Sequence, residues 1–319
     1  MRGNPLWVRQ QPGGIFTLTD LGETTGDIFF VDSATGTDGA GYGRDPDRPV
    51  ATIDYAIGLC TANKGDRIYV MPNHSEAITT AGAIAADIAG ISIIGLAMSY
   101  NNRPKVIHDA AAATIAVSAA DVTIRGITFG GGFADVTAGI DVTAKGCWID
   151  ECWWIDEAAD ENYLTPIKAT SVTDNNADGL RVTRNYWNSL DAAGLEFIEI
   201  NADLADLMVG GQNPADGNIV VHEGTNSPLV LFATGKDMKG GIVGRNFLSH
   251  KQTSGNLFMS NDTASPNNRG IIAHNRCRHA DVTGAHVLGV VGGCGMFDNL
   301  SVSTDALSGF VLPAIDVDS

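Results

Sequence analysis

The chain has 319 residues, of which 44% are apolar and 18% charged, with 38 glycines, a composition that excludes a disordered chain and points to a turn-rich fold. A net charge of −17, with only 20 Lys and Arg and no run of them longer than two, argues against nucleic acid as a partner. No apolar run approaches the about 18 residues that cross a bilayer, so no membrane anchor is expected.

Residues 1–30 read as an arm. Pro5, Trp7 and the Gln10-Gln-Pro-Gly-Gly stretch are irregular, while Ile15-Phe-Thr-Leu-Thr alternates as a short strand does. Its large apolar residues, Trp7, Ile15, Phe16 and Leu18, are the candidates for contact with a partner. Met1-Arg-Gly-Asn-Pro lacks the apolar stretch of a secretory signal, so no export is expected. Residues 31–72 form a leading module that follows the buried strand Ile28-Phe-Phe-Val. A Gly/Asp-rich loop runs from Asp32 to Pro49. Thr52 then caps a short helix with Ile53, Ala56, Ile57 and Cys60 on one face, and Arg67-Ile-Tyr-Val-Met-Pro72 is the next strand. Such a helix suits the open end of a stack of coils.

From residue 73 to about 305 short apolar runs alternate with turn residues: Gly90-Ile-Ser-Ile-Ile, Thr114-Ile-Ala-Val, Gly139-Ile-Asp-Val, Leu195-Glu-Phe-Ile-Glu-Ile, Asn218-Ile-Val-Val and Leu229-Val-Leu-Phe. Asparagine recurs in one setting, in Val182-Thr-Arg-Asn185, Val243-Gly-Arg-Asn246, Ile272-Ala-His-Asn275 and Met296-Phe-Asp-Asn299, at steps of 61, 29 and 24 residues. The last two steps match one coil of a solenoid and the first two coils, since solenoid repeats run roughly 20–50 residues. Asn185, Asn246, Asn275 and Asn299 are therefore expected as a ladder of side-chain amides inside a turn. About ten coils are expected, in a stack about 45–50 Å long at about 4.8 Å per coil. The long stretch from Ala202 to Gly217 reads as a loop projecting from one corner, and residues 306–319 as a tail.

The run Val31-Asp32-Ser-Ala-Thr-Gly36-Thr-Asp38-Gly39, followed by Gly43, Pro46, Pro49, Ala51-Thr52-Ile53 and Ala56-Ile57, resembles the N-terminal segment of right-handed parallel β-helix proteins of the pectin-lyase-like superfamily. Gly65-Asp66-Arg67-Ile-Tyr-Val and Pro72-Asn73-His74 continue the likeness. It covers residues 28–76 and extends through the coil pattern to about residue 305. The fold implied is all-β, a right-handed parallel β-helix. An arm joined to one β-helix of this size is further similar to bacteriophage virion proteins, both tailspikes and capsid decoration (cement) proteins. That similarity implies a structural protein on the virion, made in the host cytoplasm, a homotrimer that clamps the major capsid protein through its arm. The alternative is a tailspike-like β-helix that binds or depolymerises a polysaccharide.

The chemistry-bearing cluster is Trp148-Ile-Asp150-Glu151-Cys-Trp153-Trp154-Ile-Asp156-Glu157, with Asp160, Glu161 and Tyr163 after it. Glycan hydrolysis uses two carboxylates about 5–10 Å apart, and Asp150, Glu151, Asp156 and Glu157 are the candidates. Trp148 and Trp154 have apolar neighbours and suit coil interiors. The Arg-containing motif of pectate lyases has no counterpart beyond the short Asn102-Arg103-Pro104-Lys105, and non-enzymatic function is the expectation. The seven histidines, including His274 and His279 around Cys277, show no metal-ligand spacing, and Asp32, Asp38, Asp45 and Asp47 have no EF-hand order. No metal or cofactor is expected. Five cysteines without paired spacing read as buried free thiols.

Overall fold

A computed structural model describes residues 7–11, 14–18, 26–97, 99–170, 173, 176–224, 229–250, 258–261, 267–279, 287–288, 292–303, 309–310 and 312–313. The fold is a parallel β-solenoid. Each coil contributes a strand to a first face, turns a tight corner into a second, and crosses to a third. Among the described residues the first two faces carry ten strands each and the third seven. Fewer complete coils than the expected ten are described, because the ends of the stack show strands on only some of the faces.

The strands form because their inward residues alternate with outward ones and stack like on like. On the first face the inward column is Phe29, Ile68, Ile93, Ile124, Ile149, Val182, Val209, Val243 and Ile272, joined by parallel register from rung to rung. On the third face Ile84, Ile115, Ile140, Ile167, Ile198, Val230 and Met259 do the same. All are buried, and each large aliphatic side chain removed from water contributes about 1.5–3 kcal/mol. The second face stacks Val106, Phe129, Trp154, Trp187, Val220, Leu248 and Cys277 inward. Phe129 meets Trp154 at 5.1 Å between centroids, and Trp187 meets His222 at 5.0 Å.

The helix spans Ile53–Gly58, with the Thr52 hydroxyl accepting from the Tyr55 amide and with Ile53, Ala56 and Ile57 buried. It packs on the first strands of the stack. Trp7–Gln11 and Gly14–Leu18 pair antiparallel, Trp7 opposite Leu18. Two strands therefore stand where the sequence suggests one. The side chains of Trp7, Ile15, Phe16 and Leu18 lie outside the described residues. The stretch 202–217 is not one loop: Leu207–Gly210 is a first-face strand, because Leu207 and Val209 fill the interior. Only residues 211–217 project, with a short helical turn at Pro214–Asp216. All five cysteines are free, and burial pushes the Cys147 and Cys152 thiols up to about 12. Among the described residues no helix is long and apolar enough to cross a membrane.

Candidate functional site

The corner between the first and second faces is the most regular feature of the molecule. Six residues adopt left-handed backbone there, Gly126, Glu151, Arg184, Arg245, His274 and Asp298, with φ between 51° and 73°, while the rung between Arg184 and Arg245 enters the turn through Gly217 at φ −64°. For residues other than glycine this costs about 1–2 kcal/mol. Behind four of them, and behind Gly217, stands an asparagine whose hydrogen bonds hold the turn. Asn185, Asn218, Asn246, Asn275 and Asn299 sit buried in the turn, and each Oδ1 accepts from the main-chain amide of the preceding rung at 2.8–3.1 Å. Their side-chain amides also bond one another at 2.9–3.1 Å. Asn218 is the member the sequence pattern misses, because the 211–217 loop interrupts the frame before it. Cys152 occupies the same place one rung earlier, its amide donating to Asn185.

The left-handed turn throws its own side chain outward, so the corner presents Glu151, Arg184, Arg245 and His274 in a row. Asp150 lies just before it, fully covered. Its carboxylate accepts from the Arg184 guanidinium, through Nε at 2.8 Å and through Nη2, and from the Thr183 hydroxyl at 2.7 Å. Trp148 Nε1 donates to the same hydroxyl at 2.8 Å. Trp148 thus lies on the outer surface and not in the interior, since Ile149 takes the inward place of that strand; Trp154 does fill the interior. Glu151 is held by Arg125 Nε at 2.8 Å and by Arg184 Nη1 at 3.3 Å. Asp150 keeps Arg184 charged, raising its pKa through the hydrogen bond between them.

Beyond the corner the second face carries outward Trp153, Tyr186, Ile219 and Phe247 on consecutive rungs. Trp153 and Tyr186 meet at 5.5 Å between centroids, and the Arg103 guanidinium lies 4.9 Å from the Trp153 ring while bonding the Glu151 carbonyl. Ile219 and Phe247 are more than two-fifths exposed. The 211–217 segment rises beside this strip, its Asp216 carbonyl accepting from the Arg184 amide at 3.0 Å. The result is a groove of about 610 Å³ lined by Glu151, Trp153, Arg184, Tyr186, Asn188 and Ile219, with Ala215 and Gly217 from the wall. That volume is within the range of small-molecule sites, and aromatic floors with a few polar groups are their usual make-up.

The four candidate carboxylates divide. Asp150 and Glu151 sit at the corner, and only Glu151 lines the groove. Asp156 and Glu157 lie at the far end of the intervening strand, about 15 Å away at about 3.3 Å per residue. Asp156 points inward, where it accepts from the Leu190 and Tyr163 amides, and burial pushes its pKa up to about 7. Glu157 pairs with Lys105. His274 faces outward, bonded to Asp298 at 2.6 Å, whereas Cys277 points into the core, so the two lie on opposite sides of the wall. Asp38 in the leading loop accepts from Ala51, Thr52 and the Thr52 hydroxyl, which ties that loop to the helix. Among the described residues no group of three or more His, Cys, Asp or Glu side chains is placed to hold a metal ion.

No protein-family model and no curated protein matches the chain. A solved structure named as a rhamnogalacturonan lyase is similar in fold over 90% of this chain and 84% of its own, at 11% identity and a TM-score of 0.47. The likeness is one of fold and brings no residue or reaction to this chain. Against the expectation of a non-enzyme, the similar structure is itself named an enzyme. The expectation of a virion protein that decorates a capsid finds no supporting observation in the structure or the comparisons.

Proposed function

We propose that the chain binds an extended polysaccharide in the corner groove and depolymerises it there. The observation that carries this is the groove itself: two outward aromatic side chains in contact, Trp153 and Tyr186, beside Glu151 and Arg184. Sugar rings present apolar faces that pack on such side chains, and their hydroxyl edges pair with the carboxylate and guanidinium groups at the corner. Glu151 is the group placed to exchange a proton with the glycan. Hydrolysis needs a second carboxylate on the other side of the linkage, and the groove lining offers one carboxylate beside a guanidinium group. That set suits elimination better. One base takes the proton on the carbon next to a sugar carboxyl group, the linkage oxygen leaves with its electron pair, and Arg184 holds the charge that develops.

The test is a panel of rhamnogalacturonan, homogalacturonan, and bacterial capsular and O-antigen polysaccharides, assayed for binding, for new reducing ends and for the ultraviolet absorbance of unsaturated products. Binding with unsaturated product, lost in Glu151→Gln, supports the reading. Reducing ends without unsaturation would replace elimination by hydrolysis. Absence of binding across the panel would refute the groove as a glycan site.

A further inference from the structure

The groove ends at the 211–217 segment, and a second hollow of about 270 Å³ opens on the other side of that segment. It belongs to the outer surface of the first face. Ala273, with only a methyl group at an outward position, lies in its floor, and its register partner Gly244 is covered by the Gly211 carbonyl. Ile242 and Ile271 flank that floor, and Phe297, paired with Ala273 on the next rung, closes one end at 51% exposure. Two corner side chains, Arg245 and His274, stand over the hollow, and His274 meets Phe297 edge to face at 5.4 Å.

The two hollows are built alike. Each has an apolar floor with an aromatic ring open to one side, polar side chains from the corner row, and a wall from the 211–217 segment. Gln212 and Gly211 face the second hollow as Ala215 and Gly217 face the first. The segment is pinned from both sides, by the Arg184 amide on the Asp216 carbonyl at 3.0 Å and by Arg245 Nε on the Gln212 carbonyl at 2.6 Å. Arg245 and His274 stand on consecutive rungs, about 4.8 Å apart, whereas Arg184 and Arg245 are two rungs apart with the 211–217 segment between them.

We infer that the second hollow is a further subsite of the same track, taking a sugar ring of the same polysaccharide on Phe297, with Arg245 and His274 as the groups that meet its polar edge. The inference rests on the groove being a glycan site. A chain long enough to pass the 211–217 segment gains contacts that a short oligomer cannot reach, so the second hollow sets a preference for length.

The experiment measures affinity for size-fractionated oligomers of whichever panel polysaccharide wild type binds best, using wild type, Phe297→Ala, Phe297→Tyr, Ile271→Ala and Tyr186→Ala. Wild-type affinity should keep rising with length after the groove is filled. Phe297→Ala and Ile271→Ala should remove that later rise, about tenfold for the longest oligomers, and leave the shortest unchanged. Phe297→Tyr should restore it, and Tyr186→Ala should weaken binding at every length. Phe297→Ala binding like wild type at every length, with Tyr186→Ala still weakened, would overturn the second subsite and spare the groove. Failure of every oligomer to bind would overturn the groove, and the second subsite with it.

Discussion

Replacing Asn218 by alanine tests the physical account of the corner. Asn218 is fully buried. Its Nδ2 donates to the Val182 carbonyl at 2.8 Å and to Asn246 Oδ1 at 2.9 Å. Its Oδ1 accepts from the Asn185 main-chain and side-chain nitrogens at 3.0 and 3.1 Å. Four hydrogen bonds go, each worth about 0.5–1.5 kcal/mol net, and they leave buried partners behind that cost about 1–3 kcal/mol each where water cannot reach them. A total loss of about 3–5 kcal/mol follows, at the exceptional end for one substitution. Asn218→Asp keeps the acceptors but sets a carboxylate against two oxygens, so it should cost at least as much. The assay is denaturant unfolding followed by far-ultraviolet circular dichroism, with exposed Asn213→Ala as control, expected within about 0.5 kcal/mol of wild type. Coils contact mainly their neighbours, so the break should also lower the cooperativity of unfolding. An Asn218→Ala protein as stable as the control would refute the ladder as the element that holds the corner.

Asp150→Asn leaves the Arg184 guanidinium with Glu151 as its remaining carboxylate; with Arg184 about one-third exposed, the cost should be about 1–3 kcal/mol by calorimetry. Asp156 keeps its proton up to about pH 7 in the fold but loses it near 4 when unfolded, so the folded state binds more protons between those values and wild-type stability falls as pH rises. Asp156→Asn removes that slope, so unfolding free energies of the two proteins should diverge in the variant's favour by about 2–3 kcal/mol from pH 5 to 7; parallel curves would contradict the burial argument. Gly217→Ala would place its Cβ 2.0 Å from the Arg245 carbonyl oxygen. The wall must shift, at about 1–3 kcal/mol, and glycan affinity should drop with it; an unchanged melting temperature and affinity would show that the wall does not depend on that close approach.

The fold was legible because coil interiors impose two simple signals: inward β-branched residues at every second place, and asparagine where the chain turns. Asn185, Asn246, Asn275 and Asn299 share a frame of an apolar residue three places earlier, and in the structure they stand in one ladder. Asn218 breaks the frame because seven residues, 211–217, stand between strand Leu207–Gly210 and the asparagine where the next rung has Arg245 alone. That insertion is also what walls the groove, so the missed ladder member and the missed site have one cause. The Trp148–Glu157 stretch could not be divided from sequence. Alternation assigns Trp153 outward and Trp154 inward, whereas it says nothing of Arg184 and Tyr186, a coil away in sequence and adjacent in space. The place of Arg103 over Trp153 depends on a loop whose path no local pattern records.

The central claim, that Trp153 and Tyr186 form the floor of a glycan site, is tested most directly by titrating the best-binding panel polysaccharide into wild type and into the Trp153→Ala, Tyr186→Ala double variant, with folding checked by circular dichroism. The account predicts an intact fold and a loss of affinity of about tenfold or more, equivalent to about 1.4 kcal/mol. Equal affinity in a folded double variant would place the glycan elsewhere and contradict the account.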